Sequence, residues 1–189
     1  MSGALVMAKR ISSQLRDAVR HRSFVRFSRR FEDRTVRGYV LDVGPKFFLL
    51  SVVSDRIWFD GFECLRVTDI KDLRPDPYGT FVKVALAKRG ERAPRKPRVS
   101  VASVDKLLLS AGRSFPLVTI CREQVDRDVC WIGRVRGVNR GRVSLLEIAP
   151  DAKWESSPTE YRLNEITRVC FGGDYESALH LVARNQVAC

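Results

Sequence analysis

Lysine and arginine side chains gathered in two short segments are the residues best suited to a chemical role in this chain. Residues 1–30 carry eight basic residues against one acidic residue, and residues 88–98 carry six against one. The net charge of the whole chain is +12, so the rest of the sequence is neutral. Surface solubility does not require such segregation, whereas binding to a polyanion would produce it. We therefore expect a protein that binds nucleic acid.

The candidate phosphate-binding residues come from both basic segments. Phosphate contacts of this kind carry no sequence information and are sensitive to salt. The alternative explanation is a solvated linker together with an ordinary basic helix face. The candidates are Lys9, Arg16, Arg20, Arg26, Arg29, Arg30, Lys88, Arg89, Arg92, Arg95, Lys96 and Arg98.

Groups that could carry out catalysis are scarce. The two histidines, His21 and His180, are far apart in the sequence. The chain has no glycine-rich phosphate loop and neither a G-x-S-x-G nor an H-E-x-x-H motif. Asp126 and Asp128 fall in a predicted hairpin turn, where acidic residues are common for conformational reasons. We expect a protein that is not an enzyme and needs no cofactor.

The five cysteines do not have the spacing of a metal site. Their number is odd, and no two form a Cys-x-x-Cys pair. A structural zinc site needs clustered ligands, so we expect no metal. Cys64, Cys121, Cys130 and Cys170 lie in apolar, strand-like surroundings, which predicts buried thiols in a reducing compartment. Cys189 ends the sequence.

The sequence also predicts a cytoplasmic protein without a membrane partner. No apolar run approaches the roughly 20 residues needed to cross a bilayer. The first residues read MSGALVMAKRISSQL, so the basic pair Lys9-Arg10 follows the short apolar stretch. A secretory signal has the opposite order, with its positive charge first.

Periodicity predicts the elements that must position the basic residues. Residues 4–21 fit an amphipathic helix, because Ala8, Ile11, Leu15, Ala18 and Val19 fall on one face. Short strands follow, with a strong turn at Gly44-Pro45. The predicted strands of this half are 24–31, 35–43, 46–53, 57–68 and 69–74.

The second half follows the same plan. A short helix is predicted at about 103–111, and a turn at Asn139-Arg140-Gly141 separates two of its strands. Asp174 could cap a C-terminal helix. The predicted strands are 117–123, 129–137, 142–149 and 160–170.

The two halves also share short sequence patterns. Gly38-x-Val40-x-x-Val43 matches Gly133-x-Val135-x-x-Val138 at an offset of 95 residues. The block that begins at Arg66 matches the block that begins at Arg162 at an offset of 96. A shared order at a nearly constant offset indicates duplication. The predicted domains are 1–87 and 99–189, joined by a basic, proline-containing linker at 88–98.

A helix followed by five short, bent strands resembles the Sm-like fold of RNA-binding ring proteins. The glycine on the second strand, with apolar residues two and five positions later, carries the resemblance. It implies a mainly β fold with short helices: two tandem Sm-like or SH3-like small β-barrels, each preceded by a helix. The stretch Ile166 to Gly173 is also similar to duplicated barrels of bacteria. RNA is therefore the nucleic acid that we expect.

The sequence departs from the Sm-like pattern at positions that bear on RNA contact. Six residues after the glycine the family usually has aspartate, but this chain has Gly44 and Asn139. Ten residues after it, an RNA-contacting asparagine is common, but this chain has Phe48 and Val143. We therefore carry over no base-binding residue from the family.

Two questions stay open at the level of sequence. Aromatic residues at 58–62, among them Trp58, Phe59 and Phe62, could stack on bases, although core filling is the simpler interpretation. Trp131 is expected in the core and Trp154 as loop cover. The second question is the partner, because paired barrels could instead form a protein-interaction or assembly scaffold, including a homo-oligomer, without any nucleic acid.

Overall fold

The computed structural model describes residues 3–32 and 35–186 as a mainly β protein. The chain divides into two compact units, 1–96 and 97–189, which we call unit 1 and unit 2. The division falls inside the stretch 88–98 that the sequence predicted as a linker. None of the helices in the described ranges is long and apolar enough to cross a membrane.

Unit 1 has five strands between two helices, with a short 3-10 turn at Val67–Asp69. The strands pair in the order β5-β1-β2-β3-β4, and all four pairings are antiparallel. Its elements are α1 (Gly3–His21), β1 (Phe24–Arg29), β2 (Val36–Val43), β3 (Phe47–Val53), β4 (Phe59–Arg66), β5 (Ile70–Pro75) and α2 (Gly79–Lys88).

The sheet of unit 1 has an inner and an outer face. Alternating residues such as Val25, Phe27, Val36 and Val40 pack against α1 in the core, because side chains along a strand alternate between faces. The residues between them therefore point to the outer face. One end of that outer face is covered by α2, whose Val82 and Leu86 pack with Phe24 and Val53. We call the two sides the inner and outer faces below.

The helix α2 was not predicted from the sequence. Pro75 and Pro77 precede it, and its first turns contain the β-type residues Thr80, Phe81 and Val82. Only Val82 and Leu86 are buried, so the apolar stripe is too short to give a clear helical period. The last residue of this helix, Lys88, is also the first residue of the predicted linker.

Unit 2 repeats the arrangement with strands in the order β10-β6-β7-β8-β9. The predicted strand 160–170 is in fact two strands separated by a 3-10 turn at Leu163–Glu165, so that prediction was wrong. Its elements are α3 (Val104–Ser114), β6 (Val118–Cys121), β7 (Cys130–Asn139), β8 (Arg142–Glu147), β9 (Thr159–Arg162), β10 (Arg168–Phe171) and α4 (Asp174–Gln186).

The matched glycines of the sequence occupy equivalent places in the two sheets. A Cβ on Gly38 would lie 2.2 Å from the carbonyl oxygen of Ser51, and a Cβ on Gly133 would lie 2.2 Å from that of Leu146. Both glycines are therefore required by a close approach of the neighbouring strand. The register irregularities also match, between Val40 and Asp42 in β2 and, 95 residues later, between 135 and 137 in β7.

The helices α2 and α4 also correspond to each other at an offset of 97 residues. Val82 and Leu86 are buried in unit 1, as are Leu179 and Ala183 in unit 2.

The prediction of five antiparallel strands in each unit is confirmed. Among the described residues no ladder joins β4 to β5, or β9 to β10, so neither five-stranded sheet closes through hydrogen bonds.

Candidate nucleic-acid interface

Three arginines form a row across the outer face of unit 1. Arg26 in β1 is paired directly with Arg37 in β2 and with Arg74 in β5. Side chains paired in this way lie on one face with their Cβ atoms about 5 Å apart. Like charges at such positions destabilise a sheet, so this arrangement lowers stability in the free protein. A bound anion would remove that repulsion.

Two carboxylates partly balance this arginine row. Nε of Arg37 lies 3.5 Å from Oδ2 of Asp76, and Nε of Arg74 lies 3.3 Å from Oδ2 of Asp72. Arg26 is paired between Arg37 and Arg74 in the sheet, and its Nε has no hydrogen-bond partner within the described part of the chain. The side chains of Arg37 and Arg74 are 40% and 60% exposed, so the two ends of the row are accessible from solvent.

A groove of about 950 Å³ lies beside the arginine row and extends to Val19 in the last turns of α1. Aromatic rings from three strands line its floor: the centroids of Phe24 and Tyr39 are 5.1 Å apart, and those of Tyr39 and Phe59 are 6.2 Å apart. The helix α2 and residues 91–96 form its walls. Burial also raises the pKa of the Tyr39 hydroxyl, which therefore stays neutral and can donate a hydrogen bond.

The rim of this groove is mainly cationic. Arg22, Lys83, Arg95 and Lys96 contribute positive charge, against Asp76 and Glu91. Asp76 joins the groove to the arginine row, because this residue lines the groove and its carboxylate pairs with Arg37.

Asp76 is fixed in place by the start of α2. Its Oδ1 accepts a hydrogen bond from the backbone N–H of Tyr78 at 2.8 Å, and its own N–H donates to the carbonyl of Phe24 at 3.0 Å. Its side chain is only 1% exposed. The turn before α2, which lines the groove next to the arginine row, is therefore tied to β1.

The basic residues of the predicted linker up to Lys96 belong to unit 1. Lys88, Arg89, Arg92, Arg95 and Lys96 are exposed. Nζ of Lys96 lies 2.6 Å from Oδ2 of Asp42. Arg89 donates hydrogen bonds to the carbonyls of residues 56 and 57. Part of the linker is therefore anchored rather than free.

Arg98, the last linker candidate, is also exposed and belongs to unit 2. Its carbonyl oxygen accepts a hydrogen bond from the hydroxyl of Ser114 at 3.4 Å.

The aromatic side chains at 58–62 are half-buried, so they are neither fully exposed for stacking on bases nor fully part of the core. The ring of Trp58 has the guanidinium of Arg56 at 5.8 Å and that of Arg89 at 5.6 Å from its centroid. Phe59 contributes to the groove floor. Trp131 and Trp154 in unit 2 are also half-buried.

The basic stripe of α1 is exposed on the other side of the unit 1 sheet. Lys9, Arg16 and Arg20 point to solvent, while Ile11 and Leu15 pack on the inner face. Arg20 has an exposed partner, Asp17, at 3.5 Å. The α1 stripe and the arginine row therefore occupy opposite sides of the sheet.

The structure rules out the predicted phosphate contact at Arg29 and leaves Arg26 only partly exposed. Arg29 is 0% exposed, and its Nη1 lies 2.5 Å from Oε1 of Glu32. It follows Val25 and Phe27 on the inward alternation of β1, and the sequence pattern already held that signal. Arg29 is therefore a structural residue. Arg30 is exposed and Arg26 is half-buried.

Sequence reasoning missed Arg37, Arg74, Tyr39 and Asp76. They lie in the part of the sequence where charges balance, so composition gave no signal for them. Only the pairing register of three strands brings the arginines together, and register is not visible in the charge distribution.

The described residues contain no group of three or more histidine, cysteine or acidic side chains that could hold a metal ion. Asp126 and Asp128 are exposed in the loop before β7, where Oδ1 of Asp126 accepts a hydrogen bond from the N–H of Asp128 at 3.4 Å. His21 is exposed and His180 is half-buried.

The prediction of buried thiols is confirmed for Cys64 and Cys121 but wrong for Cys130, which is exposed at the start of β7. Cys170 is half-buried, and Cys189 lies outside the described residues. Burial raises the pKa of the Cys64 thiol well above its ordinary value, and the nearby carboxylates of Asp42 and Glu63 add to the effect. Cys64 is therefore an unreactive packing residue.

Comparison with known proteins gives no family or relative for this chain. No protein-family model, no curated protein and no solved structure matches it.

Proposed function

We propose that unit 1 binds single-stranded nucleic acid, with RNA favoured, through its outer face and without catalysis. The observation that carries the proposal is the row Arg74–Arg26–Arg37 beside an aromatic groove with a cationic rim. Backbone phosphates would lie along the arginine row, where they would neutralise charges that repel one another in the free protein.

The groove would receive bases. Every base has a π-face that can stack on aromatic side chains, and such stacking contributes about 1–3 kcal/mol per base. Tyr39 and Phe59 offer rings in the groove floor, and Arg95 and Lys96 stand at its rim. A groove reached only by an unstacked base favours single strands over duplexes.

The remaining basic residues would act at longer range. Lys9, Arg16 and Arg20 lie on the opposite side of the sheet, so they would raise the local concentration of nucleic acid without touching the strand held on the outer face. Arg92 and Arg95 in the linker are exposed near the groove and would add phosphate contacts.

An Sm-like barrel in each unit belongs to the same proposal. The support is a preceding helix, five antiparallel strands and the order β5-β1-β2-β3-β4, which unit 2 repeats. The RNA preference depends on this resemblance as well as on the groove. A cytoplasmic location is also part of the proposal, because the free thiols suit a reducing compartment.

The test is fluorescence anisotropy of a labelled single-stranded RNA with the full chain, beside DNA of the same sequence and duplex RNA. We expect about micromolar binding at 50 mM salt. If about four phosphates are held, binding should weaken by roughly 50-fold at 200 mM salt. Tighter binding of the single strands would support the groove. The absence of binding at 50 mM salt would overturn the proposal.

A second candidate function is self-association, and one observation favours it. Large apolar side chains are exposed at equivalent positions in α4 and in α2 with the residue before it. They are Tyr78 and Val84 in unit 1 and Tyr175 and Leu181 in unit 2, and they are between 49% and 63% exposed. Repeated apolar surface of this kind is common at protein interfaces.

Solution mass distinguishes this candidate. Light scattering over a range of protein concentrations would give an oligomer if α2 and α4 associate between copies, and Val84→Lys together with Leu181→Lys should return it to the monomer. A chain that stays monomeric at all concentrations would exclude self-association.

A further inference from the structure

A second chemical cluster lies in unit 2 and contains two cysteines. Arg168 in β10, Cys121 in β6 and Cys130 in β7 occupy directly paired positions on three neighbouring strands. Their side chains therefore lie on one face of the sheet, with neighbouring Cβ atoms about 5 Å apart. Two thiols and a guanidinium are thus side by side.

The two thiols differ in exposure and acidity. Cys121 is 1% exposed, whereas Cys130 is accessible as the first residue of β7. A hydrogen bond from the Cys121 thiol lowers the pKa of Cys130 to about 6, against the effect of burial; Arg168 lowers it further and Glu176 of α4 opposes the shift. The same hydrogen bond, and then burial, raise the pKa of Cys121.

We propose that Cys130 and Cys121 form a redox site, in which Cys130 attacks a low-molecular-weight disulfide and Cys121 resolves the product. The site is independent of nucleic-acid binding. A thiolate that is accessible and stands beside a second thiol is the arrangement that thiol–disulfide exchange requires.

The exchange balances in two steps. The thiolate of Cys130 attacks one sulfur of the small disulfide, which forms a mixed disulfide and releases one small thiolate that takes a proton from water. Cys121 then loses its proton and attacks the sulfur of Cys130. The Cys121–Cys130 bond forms, and the second small thiolate leaves with that proton. Two protein thiols are oxidised, and the small disulfide is reduced to two thiols.

The fold favours this pair over other pairs in the described ranges. Cys170 is opposite Thr119, which makes it a diagonal neighbour of Cys121 at about 7–8 Å, too far for a disulfide without a shift of the backbone. A disulfide needs its Cβ atoms about 3.5–4.5 Å apart, slightly closer than a cross-strand pair. Cys130 begins its strand after the loop 122–129, so its end of β7 can close that small difference.

The primary experiment uses the wild-type chain, folded and without denaturant. We would add oxidised glutathione, trap remaining thiols with an alkylating agent and map the products by mass spectrometry. The expected result is one internal disulfide that joins Cys121 to Cys130 and is reversed by a reducing agent. A chain that keeps both thiols reduced, or that links Cys130 to Cys170 instead, would overturn the proposal.

Variants separate the two roles. Cys121→Ser should stop at the mixed disulfide, with one glutathione on Cys130, and Cys130→Ser should take up none at Cys121. Cys64→Ser, in the buried core of unit 1, is the matched control and should still form the internal disulfide. Uptake of glutathione at Cys121 in the Cys130→Ser variant would contradict the assignment of Cys130 as the attacking thiol.

The pH dependence of alkylation gives a measurement that needs no variant. Only the thiolate reacts, so the rate at Cys130 should rise with pH, reach half of its maximum near pH 6 and be constant above about pH 7.5. An ordinary thiol would still be gaining rate at pH 8. A half-maximal rate near pH 8.5 would exclude an activated Cys130.

Discussion

The same three-strand row has opposite chemistry in the two units. In unit 1 the paired positions of β5, β1 and β2 hold Arg74, Arg26 and Arg37. The equivalent positions of β10, β6 and β7 in unit 2 hold Cys170, Thr119 and Ile132. One backbone geometry therefore presents cations in one unit and neutral side chains in the other. Under the proposed function, the feature that would bind an anion is therefore the outer face of unit 1 and not the sheet as such.

The residues next to the row also differ between the two units. In unit 2 the hydroxyl of Thr119 donates a hydrogen bond to Oε1 of Glu176 in α4 at 2.5 Å, so its central position is already satisfied. The position equivalent to Tyr39 is Arg134, whose guanidinium lies 5.0 Å from the ring centroid of Trp154. An arginine and a covering tryptophan thus replace the tyrosine that lines the groove of unit 1.

The strongest test of this comparison is Arg26→Glu at the centre of the arginine row. It removes one charge-assisted contact and adds repulsion, so we expect the Kd for single-stranded RNA to rise about 30-fold, or roughly 2 kcal/mol. The protein should become no less stable, because a glutamate between Arg37 and Arg74 replaces repulsion with attraction. Anisotropy and thermal unfolding measure the two effects.

Arg136→Glu is the matched control, since Arg136 is an exposed strand arginine of unit 2 and the charge change is the same. Its Kd should rise less than about 3-fold, through net charge alone. An equal rise of Kd in the two variants would show that Arg26 contributes no more to RNA binding than an exposed arginine of unit 2.

The next largest effect concerns what the units share. Gly38→Ala and Gly133→Ala should each destabilise the protein by about 1–3 kcal/mol, because each new Cβ meets a backbone carbonyl at 2.2 Å. Gly137→Ala is the control: nothing lies within 4 Å of its added Cβ, and the change should be below about 0.5 kcal/mol. Chemical denaturation checks all three, and an effect at only one of the two equivalent glycines would refute their equivalence.

Tyr39→Leu tests the groove of unit 1 alone. It keeps apolar bulk but removes a ring that a base can stack on, so we expect RNA binding to weaken by about 5-fold to 10-fold. Trp154→Leu removes a half-buried aromatic side chain from unit 2 and should leave the Kd unchanged. Unchanged binding of Tyr39→Leu, measured by anisotropy on a variant with a native circular dichroism spectrum, would remove the groove from the interface.

The smallest effect is expected in the linker. Replacing Arg92, Arg95, Lys96 and Arg98 by glutamine should weaken binding only about 3-fold to 5-fold at 50 mM salt and should flatten its salt dependence. Lys96 contributes least, since it is already paired with Asp42 at 2.6 Å. If neither affinity nor salt dependence changes in the anisotropy titration, the linker has no role.

The sequence predicted most of the fold because the strands are short, alternate clearly and end at strong turns. The strand predicted at 35–43 is β2 at Val36–Val43, and that predicted at 46–53 is β3 at Phe47–Val53. The helix α2 was missed because only Val82 and Leu86 are buried along it. The 3-10 turn that divides the stretch 160–170 into two strands cannot be recognised from the spacing of the apolar residues, so this division was not predicted.

The candidate site could be predicted only in part. Local charge identified Arg26, but the residues that complete its row, Arg37 and Arg74, are distant in the sequence and come together through strand pairing. Arg29 has the same charge as Arg26 and points to the core, because alternation rather than residue type decides the face. The net charge of the sequence predicts a polyanion as the class of partner. The register of the strands decides which arginines lie close enough together to contact the same polyanion.

The most direct measurement of the difference between the units is amide hydrogen exchange of the full chain with and without single-stranded RNA. We predict added protection in β1, β2, β5 and α2, with the largest change around Arg26 and Tyr39. The strands β6, β7 and β10 should exchange as in the free protein. Protection centred on β6, β7 and β10, or no change in unit 1 at saturating RNA, would contradict the assignment of the outer face of unit 1 as the nucleic-acid interface.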